Sequence, residues 1–444
     1  MSRKICVRGG TLVDETGERR ADVLVEEGRI VEVAPAIEPP RGATVLDAGG
    51  CLVAPGLVDL HTHLREPGGE AAETVESGAR AAALGGYTAV VAMPNTEPAI
   101  DNAAIVRDVL ALGAGVCADV AVAGAITVGR SGERLAPLAE MAALGVRLFT
   151  DDGRGVQDAR LMRRALEYAG GLGVVLAQHC EDEELASGGH MHEGAWSSRL
   201  GIPGQPALAE EAMLARDLGL VRLTGSPMHF LHLSTAGSVA LLRAARSEGL
   251  AVTAEATPHH LSLTDETVAS YDPVFKVNPP LRTADDVLAV RDALVGGVID
   301  VIATDHAPHP IEAKEEPFES APPGMLGLET ALAVAYDVLC TPGGAGANGD
   351  TGPRCTPVEL FALMSWRPAR IAGLDAAGGH GGPIAAGARA HLCVFDPAAR
   401  WVVDPSAGAS RSRNSPYAGR ELTGRVRHTL LGGEPVVVGA EAQR

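Results

Sequence analysis

A rhythm limits what this chain can become. Between about residues 55 and 340, eight short β-branched runs alternate with alanine- and leucine-rich stretches of helical length. The strand candidates end in GLVDLHTH, TAVVAMPN, CADVAVAG, VRLFTDD, VVLAQHCED, MHFLHLS, AVTAEATPHH and DVIATDHAPH. Intervening stretches such as AETVESGARAAALG and PALAEEAMLARDLG space their apolar residues as amphipathic helices do. Strands that alternate with helices build a parallel sheet, and eight such units match a closed (β/α)8 TIM barrel of the α/β class. Polar chemistry gathers at the C-terminal strand ends, where that fold places its active site.

The flanks read differently. KICVRGGTLVD, ADVLVEEGRIVEVAP and ATVLDAGGCLVAPG near the start, and ARAHLCVFDP, WVVDPSA and LTGRVRHTLLGGEPVVVG near the end, carry alternating patterns and glycine turns of antiparallel sheets. The expected organisation is one small β-sandwich domain built from residues 1–54 and 384–444, with the barrel over 55–383 inserted between them. The stretch CTPGGAGANGDTGPRCTP, residues 340–357, reads as a loop. A chain of 444 residues with 46% apolar content can bury both cores.

A formal net charge of -19 disfavours a broad nucleic-acid or anionic-membrane surface, although a local pocket can still carry the opposite sign. The seven cysteines contain no CxxC pair, which fits a reducing compartment better than a disulfide framework. The start, MSRKICVRGGTLVD, has no signal-peptide pattern, and no apolar run reaches the ~18 residues of a membrane span. A cytoplasmic protein is the expectation.

His61 and His63 lie two apart on a strand, so both imidazoles face the same side and can hold one ion. His179 ends the fifth strand candidate, His232 the sixth and Asp305 the eighth. Imidazoles converging on one rim without a cation or partners would suffer desolvation with no return, so these residues read as metal ligands. The donor types suit zinc, with manganese, cobalt or iron also compatible, and their number suits two ions. Two close ions need a bridging group. The chain has only Lys4, Lys276 and Lys314, none on the fourth strand, so a carboxylated lysine is excluded there. Of the two aspartates in RLFTDDGRG, Asp152 lies at the strand's end and is the candidate bridge, while Asp151 would face the other way; a helix cap near Ala159 or a turn is the alternative role for Asp152.

Taken together, DLHTHLREPG (59–68), MPNTEP (93–98), FTDDG (149–153), HCED (179–182), HLST (232–235), EATPHHL (255–261), KVNPPLR (276–282), ATDHAPH (303–309) and SRNSPYAGRELTGRV (412–426) resemble the class I dihydroorotases of the cyclic amidohydrolase superfamily. One departure is His391, where such proteins usually have Asp. The resemblance implies that His61, His63, Asp152 and Asp305 hold one zinc, and Asp152, His179 and His232 the other. It implies reversible closure of N-carbamoyl-L-aspartate to L-dihydroorotate, the third step of de novo pyrimidine synthesis, with Asp305 as proton carrier. Arg65, Asn95 and His309 would clamp the substrate carboxylate; Asn278 and the backbone of Pro323 and Gly324 would meet the ring's polar edge. A homodimer is implied, and for some relatives a complex with aspartate carbamoyltransferase. The rival readings are a hydantoinase, dihydropyrimidinase or allantoinase, and a catalytically silent structural partner of aspartate carbamoyltransferase. His259 and His260 are expected to pack or support rather than ligate, His190 and His192 to sit in a loop, and His306 to orient neighbours. Residues 308–325 are expected to form a mobile cover over the pocket.

Overall fold

A computed structural model describes residues 4–341 and 355–444, and most of the loop-like 340–357 stretch lies outside them. The parallel strands are Leu57–Thr62 (β1), Tyr87–Ala92 (β2), Asp119–Val122 (β3), Leu148–Phe149 (β4), Val175–Gln178 (β5), Met228–Phe230 (β6), Val252–Ala256 (β7) and Val301–Ile302 (β8). Pairing is continuous from β1 to β3 and from β4 to β8. Parallel bridges from Gly124 to Phe149 and from Thr62 to His306 join the two groups and close the barrel.

Leu60, Val91, Ala123, Leu148, Ala177, Leu231 and Val301, drawn from seven strands or their immediate ends, meet in one buried cluster. Residues from seven strands can meet only inside a closed barrel, so its interior is packed rather than open. A larger apolar cluster lies between strands and helices, where Val90, Phe149, Leu176 and Phe230 join Val106, Leu166, Leu214 and Leu242 of the surrounding helices. Each such side chain contributes about 1.5–3 kcal/mol on burial, which fixes the strand ends that carry polar residues.

The two chain ends share a sheet. Leu392–Val402 runs antiparallel to Leu52–Pro55, directly before β1, in a seven-stranded sheet, and a second sheet of four strands contains Lys4–Arg8 and Thr44–Asp47. Ile5, Val25, Leu12, Val53, Leu392 and Leu430 fill the space between them.

Asp14 fastens this region. Its buried carboxylate accepts from Nη1 and Nη2 of Arg19 at 3.1 and 2.9 Å, from Thr16, and from the Ile384 amide at 2.8 Å. Burial pushes the Asp14 carboxyl up, but the bonds from Arg19, Thr16 and Ile384 outweigh it and hold the group below its ordinary value. A carboxyl lower in the folded than in the unfolded state stabilises above its unfolded pKa and stops doing so as pH falls through the folded one. Asp14→Asn is expected to cost about 2 kcal/mol at pH 7, and the gap to the unsubstituted protein should close below about pH 4, read by urea denaturation at both pH values.

His391 is buried and stacks on His380 with ring centroids 4.0 Å apart. It accepts from the Gly432 amide at 3.2 Å and donates to the Gly378 carbonyl at 3.2 Å. His380 in turn meets Thr88 at 3.1 Å and Asp119 at 3.0 Å, so His391 joins a polar stitch between the barrel and the outer sheets. All four ring nitrogens are already used.

One local expectation fails. Met191–His192 is a short strand paired in parallel with Gly204–Gln205, not a loop. The glycines that signalled a loop permit the close approach instead: a Cβ at Gly189 would lie 2.9 Å from the Gln205 backbone, and one at Gly204 would lie 2.4 Å from Glu193. Among the described residues no helix is long and apolar enough to cross a membrane.

Candidate metal centre and active site

The pairing of β1 with β2 is irregular between Asp59 and Thr62, where the chain carries one more residue than the facing Val90–Ala92. Such a bulge re-aims side chains at a barrel rim. Here it presents His61 and His63 next to Asp305, which follows β8. His63 Nε2 lies 3.0 Å from Asp305 Oδ1, and His61 Nε2 lies 3.5 Å from the same oxygen. Asp152, just beyond β4, turns Oδ2 toward this group, 3.3 Å from His61 Nε2 and 3.5 Å from His63 Nε2.

The other Asp152 oxygen faces elsewhere. Oδ1 lies 3.5 Å from His179 Nδ1, after β5, and 3.5 Å from His232 Nε2, after β6; these two nitrogens are 2.9 Å apart. Donors held ~2.0–2.1 Å from a tetrahedral ion sit about 3.4 Å from one another, so the 3.3–3.5 Å separations around Asp152 suit zinc-sized coordination. His61 Nε2 and Asp152 Oδ1 are buried with no hydrogen-bond partner, as atoms reserved for a cation would be. Buried His61, His63 and Asp305 converge as one candidate ligand group, and His61, Asp152 and His232 as another. The residue types therefore fit a metal, with one carboxylate shared between adjoining donor sets.

The alternative role for Asp152 belongs to other residues. Asp158 caps the helix Ala159–Leu172, accepting from the amides of Arg160 and Leu161. Asp151 anchors the strand end, accepting from the amides of Ile126 at 2.9 Å and Thr127 at 3.0 Å and from the Thr127 hydroxyl.

Glu255, on β7, was not singled out by the sequence pattern, yet it supports the centre from below. Its Oε1 accepts from His61 Nδ1 at 2.7 Å and from the His232 amide at 3.2 Å, while Oε2 meets His229 Nε2 at 3.1 Å. Burial works against its ionisation, but His61 and His229 outweigh that and hold the carboxyl at about 2. An anion that fixes a ligand's tautomer and orientation typically contributes 10- to 100-fold to metal affinity. Glu255→Gln is expected to weaken zinc binding by about that factor in a chelator competition; an unchanged competition curve would remove Glu255 from this role.

The cavity beside the donors measures about 250 Å³ and is lined by Arg65, Asn95, Asn278, His309, Pro323 and Gly324 together with the ligand candidates. All six residues expected on the substrate side thus share one wall system, though several are engaged. Asn95 Oδ1 accepts from His63 Nδ1 at 2.9 Å, which leaves its amide nitrogen for a ligand. Asn278 Nδ2 donates to Glu181 at 2.7 Å, and its Oδ1 is buried without a partner. Arg65 donates from Nε to the Pro308 carbonyl at 3.1 Å. Burial pulls the Arg65 guanidinium down to about 10, and it remains a cation. His309 Nε2 donates to the Pro323 carbonyl at 2.8 Å, and burial with the nearby Arg65 charge pushes its ring down to about 3, so it is neutral. At Gly324, φ is 144° and a Cβ would lie 2.7 Å from His309 Nε2, so only glycine fits.

Asn414, within the SRNSPYAGRE motif, ties this wall together. It donates to the carbonyls of Ala307 at 3.0 Å and Gly324 at 3.1 Å and accepts from the His309 amide. The segment expected to be a cover is fastened as well: Lys276 Nζ donates to the carbonyls of Phe318 and Glu319, and Lys314 Nζ to those of Pro273 and Pro322. The His306 ring pairs with Glu73 through Nε2 at 3.3 Å and accepts from the Gly327 amide at Nδ1, while its backbone carbonyl accepts from the His63 amide at 2.9 Å. His260 bonds Thr257 and the Pro279 carbonyl, a packing role.

A closed barrel with buried histidine and aspartate donors gathered at its C-terminal rim defines the class of metal-dependent amidohydrolases. The dihydro-orotase-like family model matches residues 50–238. The chain is 50% identical to the dihydroorotase of Streptomyces coelicolor and 47% identical to that of Pelotomaculum thermopropionicum, in each case over 98% of both chains. Among solved structures, L-hydantoinase (dihydropyrimidinase) from Arthrobacter aurescens superposes with a TM-score of 0.86 at 25% identity, covering 100% of this chain and 98% of that one. Dihydropyrimidinase from Brevibacillus agri shares the fold at 21% identity with a TM-score of 0.84, covering 99% of this chain and 96% of that one. The chain belongs to the dihydroorotase family.

Proposed function

We propose that the protein interconverts L-dihydroorotate and N-carbamoyl-L-aspartate for pyrimidine biosynthesis, with a zinc pair held by His61, His63, Asp152 and Asp305 on one side and Asp152, His179 and His232 on the other. The observation that carries the reading is the division of Asp152, whose two oxygens face two different histidine sets. When bound, such ions lower the pKa of water and polarise a carbonyl.

The chain's own residues supply the remainder. Asp305 turns Oδ1 toward His61 and His63, which leaves Oδ2 to accept a proton from the attacking water and return it to the departing ring nitrogen. Water adds to the ring carbonyl carbon, the carbon–nitrogen bond breaks, and the nitrogen leaves protonated. Arg65, the free amide nitrogen of Asn95 and the His309 region receive the retained carboxylate, because a guanidinium with neighbouring polar donors matches that anion. Asn278 and the backbone at Pro323 and Gly324 border the ring's polar edge. Loop 308–325, fastened by Lys276 and Lys314, excludes water from this wall.

The deciding experiment is turnover of L-dihydroorotate by zinc-supplied protein, with dihydrouracil, hydantoin and allantoin in parallel. Selective dihydroorotate hydrolysis is expected; preference for dihydrouracil or hydantoin would replace this reading with that of the structural neighbours. The homodimer, the complex with aspartate carbamoyltransferase and the cytoplasmic setting rest on family resemblance, and sedimentation with and without that enzyme tests the first two.

A further inference from the structure

The HCED motif carries an acid outside the ligand sets. Glu181, just beyond β5 and two residues after His179, has a carboxylate that collects amide nitrogens. Its Oε2 accepts from Asn278 Nδ2 at 2.7 Å and from Gln205 Nε2 at 2.8 Å. Gln205 arrives on the short strand paired with Met191–His192, and the buried Arg282 ties both strands, donating to His192 Nδ1 at 3.2 Å and to the Gln205 carbonyl at 3.3 Å. The Glu181 backbone is held as well, since its carbonyl accepts from Gln157 Nε2 at 2.9 Å.

An ionised carboxylate only accepts, so it admits the nitrogen end of each amide and rejects the oxygen end. Asn278, which lines the cavity, therefore has a fixed sense: Nδ2 lies against Glu181, and Oδ1, at the other end, is buried without a partner. His179 alone would favour the reverse. Its Nδ1 faces Asp152, and an imidazole that ligates through Nδ1 carries its proton on Nε2, which lies 3.4 Å from Asn278 Nδ2. An N–H at that place prefers an oxygen to an amide nitrogen, so Glu181 decides which end of the Asn278 amide sits there.

We propose that Glu181, braced by Gln205, is a positioning residue that holds the Asn278 amide in one sense at the ring's polar edge, an assignment that rests on the dihydroorotase reading. A ring edge that alternates carbonyl oxygens with N–H groups matches an amide in one sense only. The reverse sense sets two acceptors or two donors face to face and leaves polar groups unpaired. Glu181 acts through Asn278 and touches no reacting atom.

The test is a double-mutant cycle of Glu181→Gln and Asn278→Ala, read as KM and kcat for dihydroorotate with bound zinc measured. Glutamine keeps the size of the side chain but can present an N–H to Asn278 Oδ1, so the amide becomes free to turn over. Glu181→Gln is expected to raise KM about 10-fold, with kcat within about threefold and zinc unchanged. Asn278→Ala should raise KM at least as much, and in that background Glu181→Gln should add less than about twofold, because the group it positions has gone. Additive effects, an unchanged KM in either single variant, or loss of zinc from Glu181→Gln would overturn the assignment; the last would make Glu181 a partner of His179, whose Nε2 lies 3.6 Å away. Failure of the unsubstituted protein to turn over dihydroorotate would instead count against the parent reading.

Discussion

Asp152→Ala is expected to lower dihydroorotate hydrolysis by about 10⁴-fold, equivalent to ~5 kcal/mol of barrier, and to reduce bound zinc in the same preparation. The magnitude follows from geometry. One carboxylate stands 3.3–3.5 Å from four ligand imidazoles, so its removal takes a donor from both sets at once. It also leaves His179 Nδ1 and His232 Nε2, 2.9 Å apart, without the anion that favours a cation between them. The neighbour provides the control. Asp151 accepts from the amides of Ile126 and Thr127 and touches none of these histidines, so Asp151→Asn should loosen the fold around β4 yet keep its metal. Metal analysis, steady-state kinetics and thermal denaturation of both variants separate the roles. An Asp152→Ala protein with full zinc and near-normal kcat would end the bridging assignment.

That two adjacent aspartates do different work was legible from period and position, because the strand ends near Phe149 and alternation separates their directions. The barrel was legible for a related reason: eight apolar runs, each closed by polar residues, leave few other ways to bury so many strands. The supports were not. Glu255 reaches His61 across 194 positions and Asn414 reaches Ala307 across 107, and nothing local marks a lone Glu or Asn for a partner that distant. Loop 308–325 did contain a usable signal, since one of the chain's three lysines, Lys314, lies within it and a second, Lys276, reaches it from the KVNPPLR motif. Their donors hold backbone carbonyls, which composition alone reads as solvent-facing charge. The Met191–His192 strand spans two residues, too few for any alternation to show.

Asp305→Asn is expected to cut kcat for hydrolysis by about 10³-fold while zinc content and KM for dihydroorotate stay near those of the unsubstituted protein. Asparagine is the informative replacement for two physical reasons. Asp305 holds φ 47°, a left-handed conformation that asparagine tolerates and alanine adopts at a cost, so Asp305→Ala would mix backbone strain with chemistry. The amide also keeps an oxygen where Oδ1 faces His63 Nε2 at 3.0 Å, preserving a donor for the metal. What it cannot do is take up a proton from water and release it to nitrogen at neutral pH. A low kcat with metal retained therefore isolates proton carriage from ligation, which Asp152→Ala removes together with the ion. If Asp305→Asn keeps kcat within about tenfold, the proton travels by another group, and His309, neutral and close to Arg65, is the next to substitute. If instead zinc is lost, Asp305 serves chiefly as a ligand, and the single negative charge lost in the change measures how far that donor set depends on it.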